Sequence, residues 1–117
     1  MKTRFAITLV ATAMALASAT ATATLKNVEN AYESDAAHVL LPSSGGGQVI
    51  IRACPGCKAV VLRVNRDTAY LTGSPSAPVS LAALRAAADA DGADHRLLTV
   101  FYNIESGVVT RIVLGAG

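Results

Sequence analysis

The chain has 117 residues, 52% hydrophobic and 15% charged, with ten Lys and Arg against eight Asp and Glu, two cysteines and no tryptophan. That length holds one domain and excludes a multidomain enzyme, and the apolar share excludes a disordered polyelectrolyte. The formal charge of +2 is set by the N-terminus.

Lys2 and Arg4 form a basic start, Phe5 to Ala17 is apolar, and Ser18-Ala19-Thr20-Ala21-Thr22-Ala23 follows as a small-residue run. This is the order of a secretory signal peptide, with Ala21-Thr22-Ala23 as the A-x-A cleavage site and Ala17-Ser18-Ala19 as an earlier alternative. A membrane-spanning helix needs about 20 apolar residues, and this stretch is shorter and dissolves into Thr and Ser. Residues 1–23 are therefore expected to be a signal peptide. The protein is expected to be periplasmic or secreted, with no stable membrane anchor once the signal is removed. Losing Lys2 and Arg4 leaves the basic residues equal in number to the eight acidic ones, so the exported chain is formally neutral. A domain of that size buries only about 60–65% of its unfolded surface, which makes it marginal unless something staples it.

Residues 24–47 read as an N-terminal arm and Gly-rich linker. Leu25, Val28, Tyr32 and Ala36 recur at three or four, which allows a weak amphipathic helix or, equally, an extended arm. A short strand is possible at 38–41, stopped by Pro42 and released by Ser43-Ser44-Gly45-Gly46-Gly47.

The β-rich domain is expected over 48–117. Gln48 to Ala53, Lys58 to Asn65 and Thr68 to Thr72 carry strand signals and read as a three-stranded meander, with a turn at Asn65-Arg66-Asp67. Gly73 to Pro78 breaks the pattern. Ser80 then caps an alanine-rich helix with Leu81, Leu84 and Ala88 on one face, and Gly92 is expected to close it in a left-handed conformation. Arg96 to Ile104 and Val108 to Leu114 form a final hairpin around Glu105-Ser106-Gly107, with Leu98, Val100, Tyr102 and Ile104 on one face of the first strand and Val108, Thr110, Ile112 and Leu114 on one face of the second.

The fold class is thus α+β and mainly antiparallel, in the order βββ-α-ββ, as an OB-like partly open barrel or a curled sheet with one helix. The run Thr68-x-Tyr70, Val79-Ser80-Leu81-x-x-Leu84-Arg85, Val100-x-Tyr102 and Val109-Thr110-Arg111-Ile112-x-Leu114 resembles small exported OB-like domains of unknown function. The resemblance spans about residues 48 to 114 and carries over no catalytic residue.

Cys54-Pro55-Gly56-Cys57 is the one motif with chemical content, and three readings compete. C-x-x-C can exchange disulfides, but redox versions usually open a helix whose field stabilises the thiolate, and here a strand pattern follows, with only Arg52 and Lys58 adding positive charge. C-P-x-C also resembles half of a zinc ribbon, yet only His38 and His95 could complete the ligand set, at spacings that match no known finger. The third reading, a structural disulfide, is favoured. Residues flanking a two-residue hairpin loop lie about 5.5 Å apart at Cα, within disulfide reach, Pro-Gly favours a type II turn that suits a hairpin poorly and gains from a cross-link, and an oxidising compartment preserves the bond.

No catalytic residue, metal or cofactor is assigned. Asp89-Ala90-Asp91-Gly92-Ala93-Asp94 lacks the calcium-loop spacing, since Asp94 stands at the sixth position and Val100 at the twelfth. Tyr70, Tyr102 and Arg111 are the candidates for a binding face, with Phe101 as a further ring, Arg52 and Arg63 also on strands, and core packing or edge coverage as the plainer role for the rings. Neutral net charge and export argue against nucleic acid. The expected partner is an unidentified protein or small ligand, and the expected role is a non-enzymatic binding or accessory module, with a thiol–disulfide redox protein or a metal-binding accessory protein as alternatives.

Overall fold

The first described strand, β1 (Glu29–Asp35), pairs antiparallel with β7 (Leu97–Asn103) along its whole length, with Tyr32 opposite Val100 and Ser34 opposite Leu98. The structure is a computed structural model describing residues 28–115; the expected signal peptide at 1–23 lies outside them. The helix allowed by the spacing of Val28, Tyr32 and Ala36 is not formed. Pairing with β7 overrides it, and an outermost strand with little burial on either face writes no clear period-two pattern.

A 3-10 turn at Ala36–His38 leads into β2 (Val39–Leu40), which joins β3 (Gln48–Ile51) and β4 (Val60–Arg63) in a three-stranded antiparallel sheet. The strand expected at 38–41 is therefore cut to two residues.

The expected meander stops there. β5 (Ala69–Thr72) does not return along β4 but lies parallel to β8 (Val109–Leu114) and antiparallel to β6 (Ala77–Val79), in a five-stranded sheet ordered β1-β7-β8-β5-β6. The polar turn supplies the reason. Asn65 Oδ1 accepts from the Asp67 N–H at 2.9 Å, and the buried Thr68 hydroxyl donates to the Val109 carbonyl at 2.7 Å, which ties the chain to β8. Strand β6 occupies part of a stretch expected to be irregular, and its Pro78 is tolerated because this is an edge strand.

Helix α1 (Leu81–Asp89) begins as its cap dictates, with Ser80 Oγ accepting from the Ala83 N–H at 3.1 Å. Its fully buried side chain is Leu84, with Leu81, Ala87 and Ala88 packed more loosely beside it. The helix ends at Asp89, with Ala90 extended. Gly92 is left-handed, with φ of 79°, but opens a 3-10 turn at Ala93–His95 instead of closing the helix.

The core is shared by Val49, Ile51 and Leu62 from the smaller sheet with Val64 just past β4, Tyr70, Leu98, Val100, Val109, Ile112 and Leu114 from the larger sheet, and Leu84 from α1. The described sheets are linked by one isolated parallel bridge, Arg63 with Val108, and do not close into a barrel. Of the two expected forms, the curled sheet with one helix is the one adopted.

Candidate functional site

The β3–β4 ladder ends at the pair Ile51 and Val60, earlier than the two-residue hairpin loop expected from the spacing. Arg52 to Ala59 form the connection, and Cys54-Pro55-Gly56-Cys57 is the turn within it. The Cys57 N–H donates to the Cys54 carbonyl at 3.1 Å, and Gly56 has φ of 81°, so Pro55 and Gly56 take the two central positions of a type II turn. Cys54 and Cys57 are joined as a disulfide with their Cα atoms 5.1 Å apart. The next regular element is β4, so neither cysteine opens a helix.

Beside this turn lies an open recess of about 480 Å³. Leu40 and Ile50, opposite one another in the β2–β3 register, line its floor, and the aliphatic row continues past the recess to Val61, opposite Ile50 on β4. Leu40 is 65% and Val61 51% exposed, so the row faces outward. The Arg52 N–H donates to the His38 carbonyl at 2.9 Å and carries the pairing one step past β2. Side-chain alternation then sets His38 and Arg52 on the same face as Leu40 and Ile50. Pro55 and Cys54 complete the lining at the disulfide end.

The three residues expected to share a binding face are dispersed. Tyr70 is only 8% exposed and belongs to the core. Tyr102 lies on the core side of β7, stacked on Tyr32 with ring centroids 5.2 Å apart. Arg111 is on the opposite side of the larger sheet, opposite Phe101 in the β7–β8 register. Its guanidinium sits 3.8 Å from the Phe101 ring centroid and 3.2 Å from Glu29 Oε1, so its charge is already engaged. A bulge between Phe101 and Tyr102 sets these directions, because Tyr102 pairs with Val109 and Thr110 is the extra residue.

The Tyr70 hydroxyl is buried without a hydrogen-bond partner among the described residues, and burial raises its pKa above the ordinary 10.0. The Tyr32 phenol is also raised, first by its hydrogen bond to Tyr102 and then by the nearby Tyr102 charge. Both folded-state values lie above the unfolded one. Above pH 10.0 the unfolded chain releases protons that the native chain retains, so stability falls as pH rises. Tyr70→Phe removes an orphaned polar group at nearly constant shape. It is expected to raise stability at neutral pH by about 1 kcal/mol and to flatten the alkaline slope, both measurable by urea unfolding across pH.

Among the described residues no group of three or more His, Cys, Asp or Glu is placed to hold a metal ion. The disulfide keeps both sulfurs from ligating one together with His38 and His95. Sequence reasoning missed the recess, although a signal was available: Arg52, Lys58, Arg63 and Arg66 all fall between residues 36 and 66, a stretch without a single Asp or Glu.

No protein family matches the chain, and neither a curated protein nor a solved structure is similar to it. Its fold and site define it as a small two-sheet α+β domain with a disulfide-closed turn beside an apolar, cation-flanked recess.

Proposed function

We propose that the protein is an exported, non-enzymatic binding or accessory module in which the Cys54–Cys57 disulfide is a structural staple. The position of that bond carries the reading: it closes a type II turn between two strands, in a segment followed by a strand and not by a helix whose first turn would stabilise a thiolate. Export into an oxidising compartment would keep the bond formed, and the recess beside it supplies a surface for a ligand.

A thiol–disulfide redox protein is the second reading. It is favoured by Cys54 lying half-exposed at the wall of the open recess, where a thiol partner could approach. A redox titration separates the two. The structural reading expects a reduction potential below about −300 mV, resistant to glutathione, whereas a value within the catalytic span of about −270 to −120 mV overturns it.

A further inference from the structure

We infer that the recess takes one molecule of an anionic amphiphile, with its acidic head against Arg52 and His38 and its aliphatic tail along Leu40 and Ile50 toward Val61. This rests on reading the protein as a binding module and names the chemistry of its ligand.

Shape, apolarity and charge point the same way. The volume of about 480 Å³ falls within the range of about 300–1,000 Å³ typical of small-molecule sites. The floor, Leu40 and Ile50, is aliphatic and continues into the outward-facing row that reaches the exposed Val61, a surface suited to an aliphatic tail. Residues 36 to 66, which hold the smaller sheet and its connections, carry Arg52, Lys58, Arg63 and Arg66 and no Asp or Glu, whereas Arg85, Arg96 and Arg111 lie elsewhere. Arg52 and Lys58 flank the disulfide turn and Arg63 stands on β4, while three of the acids, Glu29, Glu33 and Asp35, lie on β1 and three more, Asp89, Asp91 and Asp94, at and beyond the end of the helix. A neutral domain with this division attracts an anion to one side.

Other occupants fit less well. Stacking of nucleic-acid bases needs aromatic platforms, and the described rings Tyr32, Tyr70, Phe101 and Tyr102 all belong to the larger sheet. A cationic peptide would meet Arg52 and find no carboxylate in the lining. Pro55 and His38 stand in the lining with Arg52, and the volume of about 480 Å³ suits a single molecule.

Titration of the purified, oxidised protein with dodecanoate below its critical micelle concentration, followed by calorimetry and by amide chemical shifts, tests the inference. Saturable binding of one molecule per chain is expected, with shifts centred on residues 38–61. Acetate and dodecyltrimethylammonium, which lack the tail and the negative head respectively, are expected to bind about ten-fold more weakly or worse. Arg52→Gln loses a charge-assisted contact and weakens binding by about ten-fold, while Arg52→Lys retains most of it. Leu40→Ser also weakens binding, and since both side chains are exposed these variants keep the parent circular-dichroism spectrum and melting temperature.

No dodecanoate binding, equal affinity for the cationic amphiphile, indifference to Arg52→Gln, or binding that begins only with micelles would each overturn the assignment. The reduction potential of the same sample reports independently on the parent reading. A low potential without amphiphile binding removes the ligand class and leaves the binding module, whereas a catalytic potential removes the module itself.

Discussion

Leu84→Ala is expected to lower the unfolding free energy by about 2–5 kcal/mol, the usual loss for truncating a buried leucine. Leu84 is fully buried, and it is the single fully buried residue of α1. The alanines around it offer little volume to refill the space, so the site should collapse poorly. For a domain of this size each kilocalorie moves the midpoint by about 4–8 °C, which places the loss well within reach of calorimetry. Ala82→Ser, on the exposed side of the same helix, is the comparison and should change stability by no more than about 0.5 kcal/mol. Similar melting temperatures for the two variants would show that α1 is not held to the sheets by Leu84.

The parts of the fold legible in the sequence are those whose signals are local. Ser80 marks the start of α1 because a side-chain cap and the residues after it belong to one turn. The β7–β8 hairpin is similarly local: Gly107 takes φ of 68°, and Asn103 Oδ1 accepts from the Glu105 and Ser106 N–H groups at 2.9 and 3.0 Å. Even there the phase slips. Leu114 and Ile112 face the core as alternation demands, but the bulge turns Val109 inward in place of Thr110, and Ile104 is 49% exposed.

What was illegible depends on partners distant in sequence. Nothing near Asn65 says that the following strand will lie parallel to β8; that choice is made by Thr68 hydrogen-bonding to Val109, forty-one positions on. Likewise β1 is a strand because β7 is beside it. The candidate site divides along the same line. Cys54 and Cys57 are close in sequence, and their disulfide could be read from spacing. The recess floor depends on the cross-strand pairing of Leu40 and Ile50, which no local pattern announces. Tyr70, Tyr102 and Arg111 were grouped by residue type, and burial and sheet parity separate them.

Replacing both cysteines by serine, Cys54→Ser with Cys57→Ser, is expected to cost about 2 kcal/mol, the chain-entropy estimate for so short a closed loop, and to lower the melting temperature by about 8–16 °C. The bond sits where the ladder gives out. Beyond the pair Ile51 and Val60, the turn is held by the hydrogen bond from Cys57 to Cys54 and by the disulfide itself. Removing the cross-link should therefore loosen the connection first, raising amide exchange from Arg52 to Ala59 while β7 and β8 stay protected. Parent protein in reductant should melt with the double variant, since both lack the same constraint. Because Cys54 and Pro55 line the recess, dodecanoate affinity should fall along with protection of the turn. Were the reduced protein to melt within about 1 °C of the oxidised one, the bond would contribute under about 0.3 kcal/mol, and its role as a staple would be refuted.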